Sequence, residues 1–217
     1  MKKQAHIPYL SVEGLTLEDL QRLLEVKGHR IFINTLNWAK DYPYQPVVVA
    51  DVAYNEQGLF IHYFVHGEDI RTTSEGDGHY VHEDSCVEFF MQKEEGPSYI
   101  NFEFNAAGVC YAAHHASPSE GVKFIADEFN LIERIATFKG QRLEQTEGLY
   151  DWHVTIRIPW TVMGYDEGTI PQSMRANFYK CGDKTAHPHF LSWSPIDEPA
   201  PAFHRPQFFG ELIFEKR

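Results

Sequence analysis

The sequence has no apolar run approaching the ~18 residues of a membrane-spanning helix, so neither a transmembrane helix nor a membrane partner is expected. Met1-Lys2-Lys3 could open a secretion signal, but the following QAHIPYL has no apolar core for one. The expectation is a cytoplasmic protein, or a secreted one if a leader was trimmed. Basic clusters are missing as well. The formal net charge is −12 with Lys and Arg scattered, so the footprint of a nucleic-acid partner is absent. The same balance disfavours anionic ligands and leaves neutral or cationic ones open. Cysteine is scarce. Cys86, Cys110 and Cys181 form no CxxC pair, read as reduced buried thiols, argue against zinc, and exclude CxxCH haem attachment.

Motifs of catalysis are equally sparse. GxxxxGK[ST] and GxGxxG do not occur, so a nucleotide lacks its usual cradle. GxSxG is absent too, which leaves a Ser-His-Asp hydrolase without support. Twelve histidines include His114-His115, His187/His189 and His79/His82, yet none meets the convergent set that a transition metal requires. EF-hand spacing is lacking. Asp69, Asp77 and Asp84, in the acidic stretch 66–84, still leave structural calcium open, with no ligand assigned and no cofactor required. Met91, Met163 and Met174 read as core filler before haem ligands.

What the chain does have is core material: 43% hydrophobic residues and 16 Phe. LTLEDLQRLLEVKGH carries a helix, with Thr16 as cap, Glu18 and Asp19 in the first turn, and Gly28 past the end. Leu17, Leu20, Leu23 and Leu24 form its apolar stripe. Beyond it the chain turns β. VVVADVAY, LFIHYFVH, CVEFFM, YINFEFN, GVCYAA, FNLIERIATF, DWHVTIRI, RANFYKC, HFLSW and FGELIF, with IFINTL before them, make about eleven strands at sandwich spacing, CVEFFM and YINFEFN joined through QKEEGPS as a hairpin. The fold class is all-β: an antiparallel β-sandwich with a short N-terminal helix. Residues 1–44 are expected to be a helical extension packed on the body, and residues 45–217 the sandwich. Two long loops, EGDGHYVHED and SPIDEPAPAFHRP, are where binding is expected.

Strand alternation sorts the candidate residues. In CVEFFM, Val87, Phe89 and Met91 share one face, and Cys86, Glu88 and Phe90 the other. In YINFEFN, Asn101, Glu103 and Asn105 oppose Ile100, Phe102 and Phe104. If the hairpin aligns the two strands, Glu88 and Glu103 meet on one face. Glu88 is then either a solvated residue or partner of Arg157 or Arg175, or an acceptor for ligand hydroxyls. A carboxylate pair also raises a glycosidase, which needs one protonated and one ionised acid at a set distance.

HEDSCVEFF, YINFEFNAAG, WHVTIRIPW, RANFYKCGD, HFLSWSPI and FHRPQFFGELIF together resemble the family 9 carbohydrate-binding modules and their relatives, over roughly residues 45–215. The resemblance implies a jelly-roll-like sandwich that binds a saccharide without chemistry, as an accessory to glycosyl hydrolases in carbohydrate catabolism. It implies two aromatic rings that sandwich a sugar. Carried onto this chain, the second ring is Phe203, and the first position is His82, or Tyr80 if the loop slips. Glu103 stands where a relative can place a cationic group. Glu88, Arg205, His204, Glu103 and Asn105 are the expected polar contacts, since a sugar hydroxyl left unpaired in a buried site is costly. The alternatives are a glycoside-acting hydrolase using Glu88 and Glu103, or a degenerate sandwich serving as a protein interaction module. No feature of the sequence sets an oligomeric state.

Overall fold

The structure, a computed structural model, describes residues 3–93 and 96–216. Met1 and Lys2 of the possible secretion signal, Glu94 and Glu95 of the hairpin loop, and Arg217 lie outside the described residues. Two sheets face each other. The larger has nine strands, running β1 (Gln4–Ile7), β14 (Gly210–Phe214), β12 (Ser173–Cys181), β6 (Cys86–Gln92), β7 (Tyr99–Asn105), β8 (Cys110–Ser117) and β9 (Glu120–Lys123), with β13 (Phe190–Ser192) on β12 and β3 (Thr35–Leu36) on β13. The smaller runs β10 (Glu133–Ala136), β11 (Leu143–Pro159), β5 (Gly58–Thr72), β4 (Val47–Tyr54) and β2 (His29–Phe32). Pairing is antiparallel except between β1 and β14, which run parallel from Gln4 beside Glu211 to Ile7 beside Phe214.

The core between the sheets follows from period-2 alternation. Val87, Phe89 and Met91 of β6 and Phe102 and Phe104 of β7 bury against Ile61, Tyr63 and Val65 of β5 and Trp152 and Val154 of β11. Met163 and Met174 lie in the same core, as filler would. Trp193 is buried there too, its ring set edge-on to Phe178. Helix α1 (Leu17–Lys27) forms where its signals predict. Thr16 Oγ1 accepts from Asp19 N at 3.1 Å, and Gly28 N donates to Leu24 O at 2.8 Å. Its Leu20 and Leu24 cover Ala53 and Phe60 on the outer face of the smaller sheet. Among the described residues no helix is long and apolar enough to cross a membrane.

Two expectations differ from what is observed. Residues 1–44 do more than pack on the body: they supply β1 and β3 to the larger sheet and β2 to the smaller. FNLIERIATF is not one strand. Its start lies in the short helix α2 (Ala126–Asn130), where Glu128 Oε2 accepts from Ile125 N at 2.8 Å, and only Glu133–Ala136 pairs with β11. Local capping there outweighs β propensity.

Candidate functional site

The outer face of the larger sheet is where the polar alternate residues point. Across β12, β6 and β7, in register, stand Tyr179, Glu88 and Glu103. The alignment that places the two glutamates side by side is therefore real, and they are direct cross-strand partners. One row over, Cys181 pairs with Cys86. These side chains would face water were it not for the long loop between β13 and β14. That loop folds over the sheet and walls one side of a half-open cavity of about 250 Å³.

The floor is acidic and dry. Glu88 is 2% exposed and Glu103 4%. Glu88 Oε1 accepts from Cys181 Sγ at 3.1 Å, and Glu103 Oε1 accepts from Asn101 Nδ2 at 2.8 Å. The second oxygen of each carboxyl is buried and has no hydrogen-bond partner among the described residues. For Glu103 the nearest cationic candidate is His82 Nδ1, at 3.9 Å, beyond hydrogen-bonding reach. Neither Arg157 nor Arg175 reaches Glu88: the first pairs with Glu133, and the second donates to Gln92 and the Pro206 carbonyl. Burial, reinforced by Cys181 and Glu103, pushes the Glu88 carboxyl well above its ordinary value. Burial likewise pushes Glu103 up to about 8, against the Asn101 hydrogen bond and with the help of Asp183.

The wall is Phe203. Its ring stacks on Tyr179 with centroids 4.2 Å apart and planes at 11°, and Tyr179 Oη donates to the Phe203 carbonyl at 3.2 Å. Trp38 and Phe190 flank the same ring at 6.3 and 6.1 Å. The loop is pinned by polar contacts. Trp38 Nε1 donates to Glu198 O at 2.8 Å, Arg205 Nε to Glu198 Oε1 at 2.9 Å, and Arg175 Nη2 to Pro206 O at 2.6 Å. Pro201 and Ala202 complete this side of the cavity.

A sequence model of Carbohydrate-binding family 9 matches residues 19–214. The chain belongs to carbohydrate-binding family 9. A relative of known structure, a protein of Bacteroides uniformis ATCC 8492 described as carbohydrate-binding, superposes with a TM-score of 0.93 at 33% identity, covering 99% of this chain and 100% of that one. A carbohydrate binding module family 9 from Caldicellulosiruptor kristjanssonii, solved with glucose and with cellotriose, superposes at TM-scores of 0.60 and 0.58. Identity is 12% and 13%, with 99% of this chain and 97% and 95% of those covered, so that likeness is one of fold. No curated protein matches the chain.

On this family 9 frame, Phe203, His82, His204, Glu88 and Glu103 come together around the cavity. His82 sits at the rim, about a third exposed. His204 lines the cavity and shares a 2.7 Å hydrogen bond with Tyr99 Oη; burial, then His115 and Arg205, lower it to about 4. The other three expected residues lie elsewhere. Tyr80 is 66% exposed and leans on Tyr111, outside the cavity. Arg205 does not line it, because its guanidinium is taken by Glu198 and the His204 carbonyl. Asn105 is fully buried and bonds Asp84 Oδ2 and the amides of Ala107 and Val109.

The residues that sequence reasoning missed are Asp183, Cys181 and Phe190. Alternation in RANFYKC already puts Tyr179 and Cys181 on one face, and that signal was available. Asp183 carries none, since it follows the turn at Gly182. Asp77 and Asp69 are held by Arg134 and His187, and Asp84 by backbone and side-chain donors, so the three do not converge as a calcium site. Among the described residues the one grouping of metal-ligating atoms is Cys86, Glu88 and Cys181, within 4.8 Å of one another.

Proposed function

We propose that this cavity is the saccharide site of a non-catalytic binding protein, and that it takes a single sugar ring against Phe203. At about 250 Å³ it falls below the roughly 300–1,000 Å³ of pockets for drug-sized ligands, which suits one ring better than a chain. The observation that carries the reading is a backed aromatic ring beside two buried carboxyl oxygens that lack partners. The apolar C–H face of a pyranose suits the ring, and its hydroxyls supply the donors those oxygens lack. His82 forms the opposite rim, and His204 fixes the depth of the site.

The electrostatics favour binding over hydrolysis. A glycosidase sets its two acids apart, one protonated and one ionised. Here burial pushes Glu88 and Glu103 in the same direction. Calorimetric titration with a panel of mono- and disaccharides tests the reading, wild type against Phe203→Ala. Loss of the ring is expected to cost about 2 kcal/mol or more of binding, the size of an aromatic hot spot. Saccharide heat that is unchanged in a folded Phe203→Ala protein would remove Phe203 from the site.

A further inference from the structure

The charge around the cavity is one-sided. Three carboxyls, Glu88, Glu103 and Asp183, line it, and among the described residues no Lys or Arg does. Lys180 is turned to the other face of β12, where Nζ donates to Cys181 O at 2.6 Å and meets His189 Nε2 at 2.8 Å, and Lys184, next to Asp183, pairs with Glu83 at 2.8 Å. Two of the three acids are more than nine-tenths buried, are direct cross-strand partners, and each leaves one oxygen unpartnered.

Such an arrangement is costly to ionise. Two carboxylates side by side in a dry site repel, and neither has a counter-charge. A neutral sugar can share hydrogen bonds with the open oxygens, but it brings no positive charge to offset the burial that opposes ionisation of the two acids. An ammonium group supplies three donors and the missing positive charge together. It would also stand beside an aromatic wall, where a cation is attracted to the ring face.

We infer that the cavity selects an amino sugar, a hexose whose ring carries a free ammonium group seated between Glu88 and Glu103. This rests on the cavity being a saccharide site. The carboxyls select by charge, and Phe203 by shape.

The test is titration of the folded, chelator-treated protein with glucosamine, glucose, N-acetylglucosamine and cyclohexylamine. Glucosamine is expected to bind at least tenfold tighter than glucose. N-acetylglucosamine, of similar size and without the charge, should gain nothing over glucose. Glu103→Gln is expected to erase the ratio between glucosamine and glucose. Neutral sugars that bind as tightly as glucosamine would overturn the inference and leave the saccharide reading standing. Cyclohexylamine binding as tightly as glucosamine would overturn both, as would silence from every ligand. An amine preference seen only after zinc is added back would assign the acids to a metal held with Cys86 and Cys181, and would overturn the inference.

Discussion

Asp84 and Glu88 lie four residues apart, both out of water, and behave in opposite ways. Asp84 is fully buried, yet its carboxylate accepts from the amides of Thr73 and Ser74, from Thr73 Oγ1 and from Asn105 Nδ2, all at 2.8–3.0 Å. Burial alone would raise its pKa, but these donors outweigh it and hold the carboxyl below its ordinary value. Glu88 has only weak thiol donors, Cys181 at 3.1 Å and Cys86 at 4.0 Å, and an open oxygen, and is pushed up. The donors around a carboxyl can offset its burial, as they do at Asp84 and do not at Glu88. A saturated acid is a fastener; an unsaturated one in a cavity has an oxygen left over, the feature on which the proposed site rests.

The largest way to break this contrast is Asp84→Ala. It would strand several buried donors, each costing about 1–3 kcal/mol, so a loss of about 3 kcal/mol or more is expected in urea unfolding. A smaller effect comes from pH. Asp84 has a lowered folded pKa, so its contribution is full above the unfolded value of about 4 and is lost as acid titrates below it. Glu103 has the reverse sign. Its contribution is full below the unfolded value of about 4.3 and is lost as pH rises toward about 8. Glu103→Gln should therefore make the fall in stability between those limits shallower without abolishing it, since Glu88 carries a shift of the same sign, while leaving the acid limb in place. A fall as steep in the variant as in the wild type would detach Glu103 from it. The smallest expected effect is Tyr80→Ala, at an exposed ring outside the cavity: stability within about 0.5 kcal/mol and unchanged saccharide affinity.

The same contrast explains what the sequence could reveal. Alternation in β6 and β7 fixes which residues face outward, so the pairing of Glu88 with Glu103 is readable from one-dimensional pattern plus a hairpin. Helix α1 is readable from its cap and stripe. Phe203 is readable from its prolyl frame together with the family resemblance. Arg205 and Asn105 were misplaced for a common reason. Each is a polar side chain beside the site, and each spends its hydrogen bonds on a carboxylate brought in by the fold: Glu198 across the loop turn, Asp84 from before β6. Residue type shows what a side chain can bond, but only the folded chain shows which partner arrives. The strand at 4–7 was hidden similarly, because it is four residues long and gains its meaning from a distant neighbour, and IFINTL, read as one strand, divides into two short ones at 29–32 and 35–36.

The parallel pairing of β1 with β14 has a mechanical consequence. The chain enters β1 at Gln4, beside Glu211, and leaves β14 at Phe214, beside Ile7. A tension applied to the two ends therefore pulls the strands past each other along their length. The bonds between them would be loaded together in shear, instead of parting one at a time as in a zipper. This edge of the larger sheet is built to resist stretching along the strand direction.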